Sequence, residues 1–209
     1  MKGSLAVPIM ATEIHLHLTS GQKRAFYQEN VSLIKTIFDD LHFHIFARTS
    51  QIIVGNNEAY AFPGTALIGI SFQTTLFPGS FIDRETVTGT VIRQIEKESF
   101  LRKRSMAFSF QEGAMNSIIS EVEFSTGKRI YLEASEIIES PIDTRSNMHH
   151  LFKNPCLFCR RLQGGFSIWN TAQIVSWTHY PALNLPNHSW QAELMPELAM
   201  VQTKSLALH

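Results

Sequence analysis

Four histidines alternate with apolar residues in two short stretches. His15 and His17 flank Leu16 in EIHLHLT, and His42 and His44 flank Phe43 in LHFHIF. In an extended chain, residues two apart share a face. Each stretch therefore presents two imidazoles on the side away from its apolar residues. Were the two strands neighbours, four imidazoles would share one surface, and neutral imidazole ligates zinc, nickel or copper through one ring nitrogen. That is the chemistry of a transition-metal binder or a metal-dependent enzyme. The same alternation also describes the solvated face of a half-buried sheet. The positions 106 residues later hold Glu121, Glu123, Met148 and His150, and methionine suits a hard metal poorly.

Cys156 and Cys159 are three apart in CLFC, and the chain has no other cysteine. A zinc site needs further ligands, and two of His149, His150, His179 and His188 could supply them. On a regular strand, residues three apart point to opposite faces, so the two read as ordinary buried thiols. NPCLFCRRL does not have the strand-to-helix setting of a redox pair. No GxSxG occurs, and neither FPGTALIG nor LQGGFS carries the lysine and hydroxyl of a phosphate loop. No residue is assigned a catalytic role and no cofactor is required; a transition metal on the histidine face is the one exception entertained.

Basic residues cluster at Lys23-Arg24, Arg102-Lys103-Arg104, Lys128-Arg129 and Arg160-Arg161. Small β domains bind single strands through positive charge interleaved with aromatic rings. Lys23, Arg24, Lys128, Arg129 and Tyr131 form the candidate nucleic-acid set. The alternative is a set of charged strand edges that discourage sheet-to-sheet pairing. Trp169 and Trp177 bracket the last strand pattern of the second half and form a candidate interaction surface for a protein partner or a second copy.

These residues sit in a phrase written twice. Sliding the chain by 106 positions sets MATEIHLHLTSGQKRAFY on IISEVEFSTGKRIYLE, so that Gly21 meets Gly127 and Lys23 meets Arg129; further on, TALI at 65–68 meets TAQI at 171–174. Identity along the overlap hardly exceeds chance. The case rests on apolar classes and turn signals staying in phase. Each phrase reads as a hairpin closed at glycine. Short strands follow in LHFHIFA, QIIVG, AYAFP and ALIGISF, and in CLFCRRL, FSIW and QIVSWTHY. NVSLIKTIFDD reads as a helix capped by Asn30. Val87, Val91 and Ile95 recur at four-residue spacing and predict a central helix from about Asp83 to Phe100, with SMAFSF as a strand after it. ALIGISF and QIVSWTH, each following a hairpin, resemble the closing strands of Sm-like or SH3-like barrels, which implies a small closed barrel for each half.

The expected architecture is mainly β with a central helix: two tandem pseudo-symmetric barrel- or sandwich-like units. The divisions are 1–78, a linking helix and strand over 79–110, a second unit over 111–181, and a proline-containing tail over 182–209. Lysine plus arginine equal aspartate plus glutamate at 18 each, so no global field draws the chain to nucleic acid or membrane. No apolar run reaches membrane-spanning length and MKGSLAVPIMATE makes a poor signal peptide, so a cytoplasmic placement is expected. The leading functional expectation is a non-enzymatic interaction or regulatory protein, acting as a homodimer or with a protein or ligand partner. Single-stranded nucleic-acid binding comes second and a histidine-based metal enzyme third.

Overall fold

A computed structural model describes residues 11–41, 44–55, 57–79, 91–106, 113–137 and 154–181. Eleven strands and two helices are formed among them: β1 Thr12–Leu18, β2 Lys23–Gln28, α1 Val31–Asp39, β3 Gln51–Val54, β4 Ala59–Phe62, β5 Leu67–Gln73, β6 Val91–Ile95, α2 Lys97–Arg104, β7 Met115–Phe124, β8 Arg129–Ile137, β9 Cys156–Arg161, β10 Phe166–Asn170 and β11 Ile174–Tyr180. Nine strands make one mixed sheet in the order β11-β7-β8-β6-β9-β10-β5-β1-β2, and β3 pairs with β4 separately. The protein is mainly β. No closed barrel forms among the described residues, and the two expected barrels are replaced by a sheet running through both halves. The link is the antiparallel pairing of β10 with β5, where Ile168 faces Ile70 and Trp169 faces Gly69. No described helix is long and apolar enough to cross a membrane.

The two hairpins form for the same local reasons. In β1, Ile14 and Leu16 point into the core while Glu13 stays exposed. Gly21 has φ of 81° and Gly127 of 78°, a left-handed setting that side chains resist. The turn bonds match: Leu18 N–H donates to the Gln22 carbonyl and Phe124 N–H to the Lys128 carbonyl, both at 2.9 Å. Registers match as well. Thr12 faces Gln28 and Leu16 faces Arg24; 106 residues on, Ile118 faces Ala134 and Val122 faces Ile130. The third strand follows suit one residue later, with Leu18 opposite Leu67 and Phe124 opposite Ile174, each beside a break in register. Before it, Gln51 faces Phe62 and Leu157 faces Trp169. The β9–β10 turn, with Gly164 and Gly165 at φ of 91° and 80°, carries the extra residue. TALI and TAQI are therefore one position out of structural step, and their shared letters do not mark equivalent sites.

Two apolar clusters lie on opposite faces of the sheet. One joins Leu16, Ile34, Phe38, Phe72, Phe166 and Cys156; the other joins Val122, Phe124, Leu132, Cys159 and Trp169. Phe72 and Phe166 stack with centroids 4.7 Å apart across the β5–β10 junction, and Phe38 meets both edge-on. Each ring so buried contributes about 1.5–3 kcal/mol. α1 begins where Asn30 Oδ1 accepts from Ser32 N–H at 2.9 Å and from Leu33 N–H at 3.3 Å, and it buries Ile34 and Phe38 as its spacing requires.

Three expectations are corrected. Val91–Ile95 is a strand between β8 and β9, and a helix at Lys97–Arg104 buries Phe100; residues 80–90 lie outside the described residues. The β-branched Val91, Ile92 and Ile95 favour an extended chain once neighbouring strands are there to pair. LHFHIFA does not continue as a strand: Ile45–Ala47 is a 3-10 turn that buries the adjacent Ile45 and Phe46, which no alternating strand does on one face. Trp169 is 1% exposed and belongs to the core. SMAFSF spans 105–110, of which 107–110 lie outside the described residues, as do residues 182–209 and His42.

Candidate functional site

β1 sends His15 and His17 to the face opposite Ile14 and Leu16, as the alternation requires. What they meet there is set by the β5–β10 junction. A cavity of about 480 Å³ is lined by His15, His17, Lys23, Ser71, Lys128 and Arg161 and by the turn glycines Gly21 and Gly127. Gln94 and Trp169 are among the other lining residues. Lys23 comes from β2, Lys128 from the turn before β8, and Arg161 from the end of β9. None of the described lining residues is aspartate or glutamate.

Three cations therefore share one opening without a carboxylate among them. Burial, then Lys23 and Arg161, lowers the pKa of Lys128. Burial, followed by Lys128 and Lys23, brings His17 down to about 3, so its ring is neutral near pH 7. His15 is lowered by burial and by Lys23, against the pull of Glu13, whose carboxylate lies 3.1 Å from Nε2. Arg161 Nη1 and Gln94 Oε1 are buried without a hydrogen-bond partner among the described residues. Buried polar atoms are ordinarily partnered, and the exceptions call for a reason.

The corresponding face of the second hairpin is built differently. Arg129 stands where Lys23 stands in the first. It is held by Glu121 at 3.2 Å and Glu123 at 3.1 Å, from the positions matching His15 and His17. Arg129 is neutralised by its two acids, whereas its counterpart Lys23 has imidazoles in place of both.

His17 also joins a polar chain. Ser167 Oγ donates to Ser71 Oγ at 3.0 Å, and Ser71 Oγ lies 2.9 Å from His17 Nε2. A serine beside histidine suggests acyl transfer, but the ring is too weakly basic to draw a proton from serine at neutral pH. The imidazole lies over Trp169 with centroids 4.9 Å apart, and Lys128 Nζ sits 5.4 Å from that ring's centroid. The chain holds the wall of the cavity in place.

Because His17 is neutral in the fold and ordinary when unfolded, acid costs stability. The unfolded chain gains a proton as pH falls below the ordinary imidazole value of about 6.5, and the folded chain does so only near 3. His179, lowered by burial, acts in the same direction. Stability should therefore fall by roughly 2–4 kcal/mol from pH 7 to pH 4. Denaturant melts at fixed pH values check this, and His17→Gln should flatten the slope.

The remaining predicted site residues fall in several places. His44 precedes the 3-10 turn at Ile45–Ala47 and is not part of the cavity lining. Among the described residues no three of His, Cys, Asp and Glu converge as a metal site would require, and the three cations oppose a metal ion beside His15 and His17. Of the nucleic-acid set, Lys23 and Lys128 converge. Arg24 lies outside the lining, Arg129 is paired with its glutamates, and Tyr131 packs on Phe100 at 4.9 Å. Trp177 is half-buried against the second cluster. Cys156 and Cys159 are buried in different clusters, and burial raises the Cys159 thiol to about 12. Neither should react with dithionitrobenzoate within minutes in the native protein, whereas both should in denaturant; rapid native labelling would contradict this burial.

Arg161 and Gln94 were missed because only the sheet order brings β6 and β9 to the hairpin turns. The signal that could have found the site was the exchange of Glu121 and Glu123 for His15 and His17 beside matching cations. The chain matches no known protein-family model, no curated protein and no solved structure.

Proposed function

We propose that the protein is a non-enzymatic, regulatory-type binding protein made of two tandem copies of one small β unit, roughly residues 1–78 and 111–181, and that it holds a phosphate-class anion in the pocket between the two hairpin turns. The observation that carries this reading is the set of Lys23, Lys128 and Arg161 lining one pocket with no carboxylate among its described lining residues, set against Arg129, the counterpart of Lys23, which two glutamates neutralise. Holding like charges together in a half-buried site costs free energy, and an anion removes that cost while partnering Arg161. Repeated registers, turn bonds and positive-φ glycines support the two-unit reading. The pocket has the volume of ordinary small-ligand sites. A phosphate brings about 1.5–2 negative charges near neutral pH.

The test holds ionic strength and pH constant while chloride is exchanged for phosphate or sulfate. Ligand that binds only the folded state raises its stability, by about 2.7 kcal/mol at a hundred times Kd. The melting temperature should rise with phosphate in the native protein and stay level in Lys128→Gln. Equal melting temperatures in chloride and phosphate would refute the reading.

Single-stranded nucleic acid is the second reading, because Lys23 and Lys128 bring both basic hairpins to one opening. Against it, Arg129 and Tyr131 are engaged elsewhere, which shortens any backbone track. An oligonucleotide that binds far more tightly than inorganic phosphate, with a steep salt dependence, would favour this reading over the first.

A further inference from the structure

The β5–β10 junction joins one half of the chain to the other, and its two strands have counterparts. By register, the counterpart of β5 is β11 and that of β10 is β4. Those counterparts are not joined. β11 ends the nine-stranded sheet, and β4 is paired only with β3 among the described residues. The contrast in burial is large. Every residue of β10 is buried, and all of β5 but Gln73, whereas Ala59, Tyr60 and Ala61 of β4 and Val175, Ser176 and Thr178 of β11 are exposed. Val175 is 63% exposed and Tyr60 40%. Unpaired apolar edges of this kind are templates for another strand.

We infer that β11 of one copy pairs with β4 of a second copy, repeating between chains the junction that β5 and β10 make within one. The residues suit the carried-over register. In the existing junction Trp169 lies over Gly69, where a Cβ would stand 2.2 Å from Trp169 Cε3. The corresponding pair is Phe62 on Ser176, again an aromatic ring against a small residue. Ile168 on Ile70 becomes Ala61 on Trp177, so a small residue now meets the large one. Ser167 on Ser71 becomes Tyr60 on Thr178, both exposed in the isolated chain.

Such an interface is heterologous: each copy offers β4 on one side and β11 on the other. Repetition gives a ring with cyclic symmetry where the rotation closes, of which the dimer is the smallest, and an open filament where it does not. The inference rests on the two-unit reading and not on the identity of the ligand.

The experiment measures mass in solution by light scattering at tens of micromolar protein. Ala61→Lys places a charge on the β4 edge, and Thr178→Lys places one on the β11 edge. The native protein should be oligomeric and each variant alone monomeric. An equimolar mixture of the two variants should form a dimer, because one keeps an intact β11 and the other an intact β4. A monomeric native protein would overturn the inference. So would a variant that stays as oligomeric as the native protein, since a symmetric contact through a single edge behaves that way. Circular dichroism of each variant identifies one that has failed to fold, and the native mass then decides. Phosphate binding by a monomeric native protein would refute the interface while leaving the pocket standing.

Discussion

Lys128→Glu is expected to weaken phosphate binding by about 100-fold or more and to abolish the stabilisation that phosphate confers. Burial lowers the pKa of Lys128, and Lys23 and Arg161 lower it further. Reversing its charge puts a carboxylate into the pocket beside Lys23 and Arg161. The variant should be at least as stable as the native protein in chloride, because a like-charge cluster is relieved. Loss of ligand response together with undiminished stability separates a binding role from a structural one. Isothermal titration with inorganic phosphate and a parallel melt in chloride measure both. Unchanged affinity in Lys128→Glu would show that the anion does not enter this pocket.

Gly165→Ala is expected to destabilise the protein by about 3–5 kcal/mol, enough to unfold a marginal domain. Gly165 has φ of 80°, and an added Cβ would stand 1.9 Å from the Phe72 carbonyl oxygen and 3.0 Å from the Thr74 amide nitrogen. Those atoms belong to backbone at the end of β5, so relief requires moving the strand and not a side-chain tip. The position also fixes the site. Arg161 N–H donates to the Gly165 carbonyl at 3.1 Å, and the turn sets β10 against β5. Gly21→Ala makes a useful comparison, since Gly21 shares the left-handed φ but has nothing within 4 Å of the added atom. It should cost only about 1–2 kcal/mol. Urea denaturation of the two variants measures the difference; equal losses would mean that the β5–β10 contact is looser than described.

The hairpins and α1 were legible because their determinants are local: alternation around a positive-φ glycine, and Asn30 ahead of an apolar stripe. Sheet order was not, because β6 between β8 and β9, and β10 between β9 and β5, are set by pairings far apart in sequence. VIRQI carries too few residues to distinguish one helical turn from a strand that its neighbours complete. The spacing of Cys156 and Cys159 correctly placed them on opposite faces. His15 and His17 do share a face, and the cations gathered beside them come from elements whose arrangement no local pattern encodes. The exchange of two acids for two imidazoles was visible from the beginning, but it gains meaning only when Lys23 and Arg129 are known to stand beside them.

The most direct test of the anion pocket is to titrate isotopically labelled protein with inorganic phosphate at constant ionic strength and follow backbone amide and indole resonances. The account predicts saturable shifts at Gly21, Lys23, Gly127, Lys128, Arg161 and Trp169. Absence of any shift at millimolar phosphate, or saturable shifts centred on Arg102, Lys103 and Arg104 with the pocket silent, would contradict it.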